Sequence, residues 1–301
     1  MHGRPGPRPA VLTTSAQQPI PVPGDLAEQV ARVLAEDVGS GDLTAALVPA
    51  SQRASAQLIS RTEAVVCGRP WVDETFRQLD RAIALRWLAA EGERVAAGAT
   101  LCELSGPARS MLTGERTALN FLQTLSGTAT AARRCVDAVA GTNARILDTR
   151  KTLPGLRRAQ KYAVRVGGAE NHRIGLFDAI LVKENHIVAA GGITATITAA
   201  RRLSPGVLLE VEVETLAQAE EALTGGADRL LLDNFSLPRM AEAVQLRDRI
   251  APQITLEASG GITLATLREV AATGVDFISI GSLTKDVVAT DLSLRFQFGA
   301  G

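Results

Sequence analysis

The chain has 301 residues, 46% hydrophobic and 21% charged. That is the composition of a folded globular protein, with length for one large domain or two ordinary ones. Its 32 basic residues balance 32 acidic ones and only 3% are aromatic, so neither a nucleic-acid surface nor an anionic membrane is indicated.

The first 24 residues, "MHGRPGPRPAVLTTSAQQPIPVPG", are rich in Pro and Gly and lack the apolar core of a signal peptide. They read as a disordered tail, residues 1–24. Three widely spaced cysteines, Cys67, Cys102 and Cys135, include no CxxC pair. They read as reduced thiols of a cytoplasmic protein rather than a disulfide frame or a zinc site. No apolar run approaches the ~18 residues of a membrane-spanning helix.

Apolar residues at helical spacing predict a helix from Leu26 to Val38, stopped by Gly39. "ASAQLISRTEAVVCG" reads as two short strands, and "ALRWLAAEGERVAAGATLCELSG" as strands joined by glycine turns. A helix is predicted from Pro107 to Leu125, followed by the small-residue stretch "SGTATAA". Residues 25–126 therefore read as an α+β domain. From residue 127 the texture changes. The apolar runs "ARILD", "AILVK", "VLLEVEVE", "RLLLD", "ITLEASGG" and "FISIGS" alternate with helical patterns such as "ITATITAARRL", "LAQAEEAL" and "LPRMAEAVQLRDRI". Such βα alternation predicts a parallel sheet. Six strands are fewer than a full barrel needs, and periodicity alone also allows an open doubly wound sheet.

Each of these strands ends in a polar or glycine signal: Asp148-Thr-Arg-Lys151, Lys183, the series Glu210, Glu212 and Glu214, Asp233-Asn234, Ser259-Gly-Gly261 and Gly281-Ser282. Sites of parallel α/β folds form at such carboxyl ends. Loop and cap chemistry explains any single Asp, Asn, Ser or Gly. It does not explain Arg, Lys and Glu at the tips of apolar strands.

Between Arg145 and Arg173 stand eight basic residues against two acidic ones. Arg157, Arg158, Lys161 and Arg165 recur at helical spacing and read mostly as a solvated helix face. Arg150, Lys151, Arg173 and Lys183 lie at strand ends or just before one, and together call for a polyanionic ligand. "EASGGI" and "SIGSLT" are glycine turns after neighbouring strands, suited to a phosphate. Glu210, Glu212 and Glu214 share one strand face by period two. With Asp233 they could meet sugar hydroxyls or a phosphate-bridging Mg²⁺, and Glu210 and Glu214 could equally pair with basic residues. His172 beside Arg173 offers two donors to one planar anion. Neither a GxxxxGK[ST] loop nor a strand-following GxGxxG is present.

The block "ILDTRKTLPGLRRAQKYAVRVGGAENHRIGLFDAILVKENHI" resembles the nicotinate-nucleotide pyrophosphorylases (carboxylating), or quinolinate phosphoribosyltransferases. "GERTALNFLQTLSGTAT", "LEVEVETL", "LLLDNF", "EASGGI" and "ISIGSLT" match in the family's order, so the resemblance runs from about Asp25 to the C-terminus. It implies an N-terminal α/β open sandwich (25–126), an incomplete α/β barrel of parallel strands (127–288), and a terminal segment (289–301) that returns to the first domain. It further implies transfer of the phosphoribosyl group of phosphoribosyl pyrophosphate (PRPP) to quinolinate with decarboxylation, a step of NAD biosynthesis. Mg²⁺ would be the cofactor, bound mainly through PRPP with Glu212 and Asp233 as candidate ligands. Arg150, His172, Arg173 and Lys183 would line the quinolinate pocket, with Thr149 beside them. Lys151, Glu212 and Asp233 would act on PRPP. Ser259, Gly260, Gly261 and Gly281 would hold its 5′-phosphate. In the implied homodimer Arg116 would reach the partner's site. "KENH" carries Glu184 where the family commonly has Asp.

Two other activities stay open on the residues themselves. A nicotinate phosphoribosyltransferase would act on a monocarboxylate; the density of cations favours the diacid. A barrel aldolase or isomerase could use Lys183 as a Schiff-base amine.

Overall fold

In the computed structural model, which describes residues 20–298, two sheets share one long helix. Chain order is α1 (Leu26–Val38), β1 (Arg53–Ser60), β2 (Ala64–Val65), α2 (Arg69–Leu79), β3 (Ala84–Trp87), β4 (Arg94–Val95), β5 (Thr100–Pro107) and α3 (Ala108–Ala138). There follow β6 (Arg145–Leu147), α4 (Arg157–Val166), β7 (Ile180–Val182), α5 (Glu184–Ala190), α6 (Ile193–Leu203), β8 (Leu209–Val213), α7 (Leu216–Gly225) and β9 (Arg229–Asp233). The last elements are α8 (Leu237–Ile250), β10 (Thr255–Ser259), α9 (Leu267–Ala272), β11 (Phe277–Ser279), α10 (Ser282–Lys285) and β12 (Leu292–Phe298). Of the expected tail, residues 1–19 lie outside the described part.

The first sheet is antiparallel, in the order β12-β1-β5-β3. β1 alternates strictly enough to turn Ala54, Ala56, Leu58 and Ser60 inward. The first three meet Leu101, Leu104, Phe76 and Met111 under α2 and α3. β12 pairs with β1 from Ala54↔Phe298 to Ser60↔Leu292, so the C-terminal strand completes the N-terminal sheet.

α3 is 31 residues long and continues past Leu125, where the sequence pattern predicts its end. The glycine and small residues that suggest a stop serve close approach instead. A Cβ on Gly127 would stand 2.2 Å from the Val288 carbonyl oxygen, and one on Gly167 in the chain after α4 would stand 2.5 Å from the Ala129 carbonyl. The threonine hydroxyls are satisfied locally: Thr128 donates to Thr124 O and Thr130 to Ser126 O. One helix thus crosses three cores in turn. Met111 and Leu122 pack on the first sheet, Phe121 and Leu125 against α1 and α4, and Ala132 and Cys135 against the second sheet.

The second sheet has six parallel strands in the order β6-β11-β10-β9-β8-β7. Its two edge strands, β6 and β7, are not paired with each other, which leaves the barrel incomplete. At that seam Glu170 bridges to Leu147 of β6, and its N–H donates to Ile146 O. The outward residues Leu209, Val211, Leu230, Leu232, Leu256 and Ile278 are buried under the helices. The alternate positions point into the ring, where the registers set Glu210 beside Arg229, Glu212 beside Leu231, and Ser259 beside Asp233.

The expected solvated face of α4 is corrected at one position. Arg157, Arg158 and Arg165 are not buried, but Lys161 is 2% exposed. Its ammonium lies 2.5 Å from the Asp148 carboxylate.

Gly127→Ala should destabilise the protein by about 1–3 kcal/mol through overpacking against the Val288 backbone. Urea unfolding monitored by circular dichroism checks this; an unchanged midpoint would show that the segment around Val288 moves freely.

Candidate active site

A pocket of about 260 Å³ opens at the carboxyl ends of the parallel strands. The tip of β6 supplies Thr149, Arg150 and Lys151; the segment ahead of β7 supplies His172 and Arg173; the next strands supply Lys183, Glu212, Asp233, Ser259 and Ser279. Nine of the residues singled out from the sequence therefore meet in one cavity. Gly281 stands behind the β6 tip: a Cβ there would lie 3.0 Å from Lys151 Cδ and 3.5 Å from Thr149 Oγ1. Gly260, at φ +100, leaves room for the Asn234 side chain, whose Oδ1 would lie 2.2 Å from an added Cβ. Gly261, at φ +60, faces open space. Arg116 is exposed on α3 and does not line this pocket. Glu214 lies beyond the end of β8, exposed, with its N–H bonded to Gln218.

Cations predominate at the β6–β7 side. Arg150 Nε is buried and has no hydrogen-bond partner among the described residues. Such a donor is costly unless an acceptor arrives from outside. Arg173 is held below its usual value by burial and then by the neighbouring Arg150 guanidinium. Two arginines thus repel each other in a partly dry cleft, and an anion between them removes that penalty. Lys183 is already paired with Glu212 across the β7–β8 boundary. That pairing ties the ammonium to a neighbouring strand end at the rim of the pocket.

His172 is nearly buried. Its Nδ1 accepts the Arg173 backbone N–H at 2.7 Å, which places the ring proton on Nε2. Nε2 lies 2.8 Å from Glu210 and 3.6 Å from Glu257. Burial pushes the imidazole below its ordinary value, so the ring is neutral at pH 7. Burial raises both glutamates, and the adjacent Glu210 helps push Glu257 up to about 8. Arg229 partly compensates: it donates to Glu257 at 3.3 Å and stacks 4.0 Å from the Phe277 ring centroid. At the pocket floor stands Glu257, its carboxyl raised by burial, backed by the buried Glu210 and by Arg229. Among the described residues Glu210 does not form the direct Lys or Arg ion pair that its strand position allows.

Behind His172 lies a second buried group. Asp148 Oδ1 accepts from Lys161 Nζ and from the His172 N–H at 2.8 Å, while Oδ2 accepts from Asn171 at 2.7 Å. Lys161 also donates to the His172 carbonyl at 2.8 Å. Burial drives the acid up and the amine down, and their pairing opposes both shifts. At the opposite rim Asn234 adopts φ 55, the one left-handed non-glycine among the described residues. Its N–H donates to Ser259 O and its amide to Asp233 Oδ2. Sequence reasoning missed Glu257, Lys161 and the structural use of Asn234. Glu257 carried a signal, a carboxylate inside the apolar run "ITLEAS" two residues before Ser259. Lys161 carried none, because its partner is thirteen residues away.

An open ring of parallel strands whose mouth gathers arginines, lysines, carboxylates and glycine turns defines a barrel enzyme that handles small polyanions. Residues 42–126 match the quinolinate phosphoribosyl transferase N-terminal domain, and residues 128–295 its C-terminal domain. The chain belongs to the quinolinate phosphoribosyl transferase family. It is 43% identical over 263 residues to a probable nicotinate-nucleotide pyrophosphorylase [carboxylating] of Synechocystis, covering 87% of this chain and 89% of that one. A nicotinate-nucleotide pyrophosphorylase [carboxylating] of Mycobacterium leprae is 41% identical over 274 residues, covering 89% and 95%. The solved structure of the nicotinate-nucleotide pyrophosphorylase from Francisella tularensis superposes with a TM-score of 0.89 at 45% identity, covering 94% of this chain and 100% of that one.

Glu257 makes a measurable pH signature. An acid whose folded value is raised keeps its proton in the native state after the unfolded chain has lost it, so stability falls as pH rises from the ordinary 4.5 to about 8. Glu257→Gln should flatten that part of the curve, read as unfolding free energy against pH. Parallel curves for the two proteins would show that Glu257 ionises normally.

Proposed function

We propose that the protein transfers the phosphoribosyl group of PRPP to quinolinate and releases CO₂, giving nicotinate mononucleotide and pyrophosphate, a step of de novo NAD biosynthesis. One observation carries this reading most strongly. Arg150, with its buried unpartnered Nε, faces the same pocket as Arg173, Lys183 and Lys151, while carboxylates occupy the neighbouring strand ends. Such a pocket suits a flat diacid next to a phosphorylated sugar.

In this reading Arg150 and Arg173 neutralise the two carboxylates of quinolinate, with His172 and Lys183 bordering the ring. The pyridine nitrogen then displaces pyrophosphate at the anomeric carbon. Lys151 meets the leaving pyrophosphate, and Ser259 with Gly260, Gly261 and Gly281 receives the 5′-phosphate. Glu212 and Asp233 face the ribose. The quaternised nitrogen next stabilises the carbanion left when the adjacent carboxylate departs as CO₂, and a proton from water then takes that carbon position. No covalent enzyme intermediate is needed; orientation and charge neutralisation do the chemistry.

The donor set also fits Mg²⁺ carried in on PRPP. Asp233 has a single side-chain partner, Asn234, among the described residues, whereas Glu212 is engaged by Lys183. One carboxylate with substrate oxygens and water suits this hard ion, which would neutralise charge on the leaving group.

A homodimer is part of the proposal. Arg116 is exposed on the same helix that packs against the turn carrying Leu43 and Leu47, which are 88% and 83% exposed. Leu176, Phe177 and Val188 are also largely exposed, in the segments on either side of β7. Docking these two apolar patches between copies would cover both and carry Arg116 toward the partner's diacid. The buried free cysteines favour a cytoplasmic setting. Among the described residues no helix is long and apolar enough to cross a membrane.

Incubation with PRPP, Mg²⁺ and either quinolinate or nicotinate should release pyrophosphate and CO₂ together with the diacid only. Pyrophosphate release with nicotinate at equal efficiency, without CO₂, would replace this reading with the monocarboxylate one. Arg116→Ala should be inactive alone, yet regain activity when mixed with a Lys151→Ala subunit. Mixed dimers that stay silent would place every needed residue within one chain.

A further inference from the structure

We propose that Lys161 and Asp148 are positioning residues for the diacid pocket: their buried pair locks the two chain segments that carry Thr149-Arg150-Lys151 and His172-Arg173 into one geometry. This inference rests on the function read above. Asp148 immediately precedes the first segment, and its carboxylate receives the His172 N–H, the Asn171 amide and the Lys161 ammonium. Lys161 closes the clamp by donating to the His172 carbonyl, so both peptide groups of that residue are held by one ion pair. With its backbone fixed, His172 uses Nδ1 to hold the next peptide N–H, that of Arg173. Asn171 adds a bond to the Lys161 carbonyl. Five site residues thus depend on two charges that are buried beneath them and do not line the pocket.

Stability alone does not explain the arrangement. Burying an ion pair is expensive, and apolar residues of similar size commonly hold a fold as well or better. What apolar side chains cannot do is grip a peptide N–H and its carbonyl at the same time. The seam between β6 and β7 makes this grip necessary. The segment after Glu170 has no strand partner there beyond the bridge to Leu147, so the sheet does not set the position of His172 and Arg173.

The test compares Lys161→Met with Lys161→Met/Asp148→Asn, each assayed per folded molecule for quinolinate KM, PRPP KM and kcat. The single variant leaves a buried carboxylate unpaired and loses stability; the double variant neutralises both partners and regains it. In both, quinolinate KM should rise about tenfold or more, with a smaller change in PRPP KM, because misplacing a clamp arginine by a fraction of an ångström weakens a bidentate contact. A merely structural pair predicts fewer folded molecules with unchanged KM. Wild-type quinolinate KM in the stable double variant would overturn the proposal. Absence of wild-type turnover with quinolinate would instead sink the functional reading on which it rests.

Discussion

Side chains on a β-strand alternate between two faces, and in a closed or nearly closed ring one of those faces has very little water. The rest of this structure follows from that. The outward residues of β8 to β11 are Leu, Val, Ile and Ala, buried under helices. The inward residues include Glu210, Glu212, Arg229, Asp233 and Glu257. A one-residue slip in β8, β9 or β10 would exchange the two sets and bury charges against the helices, so the polar interior also enforces register there.

Charge inside the ring must then be settled locally. At the floor it is settled by a proton, since Glu257 stays protonated beside Glu210, and by Arg229 under Phe277. Behind His172 it is settled by the Lys161–Asp148 pair. At the mouth the accounting is left open, because Arg150 has a donor without an acceptor and Arg173 has Arg150 for a neighbour. The protein is closed at the floor and unbalanced at the mouth, where the proposed dianion would complete it. Net neutrality of the whole chain conceals this local separation.

The incomplete ring has a mechanical counterpart in α3. This helix runs from the antiparallel sheet to the parallel one, and β12 returns to pair with β1. The chain passes between the two halves twice, so neither half is an independent bead on a linker. The texture change near residue 127 is real, yet it falls inside a continuous helix. There Gly127 admits the Val288 backbone.

Much of this was legible in the sequence. Strand alternation and βα spacing were enough for six parallel strands, and polar residues at their tips were enough to gather Arg150, Lys151, Arg173, Lys183, Glu212 and Asp233 at one end. These are local signals, set by period two and by where parallel strands terminate. Long-range placement was not legible. Lys161 has the spacing of a surface lysine and is buried, because Asp148 and the His172 peptide lie over that face of α4. Glu257 is raised first by burial inside the ring and then by Glu210, which arrives from another strand. The sequence by itself determined which residues carry charge and on which strand face they sit. Only the tertiary structure decided which charges meet each other and which are left for a ligand, because that depends on distances and water exclusion between segments far apart in the chain.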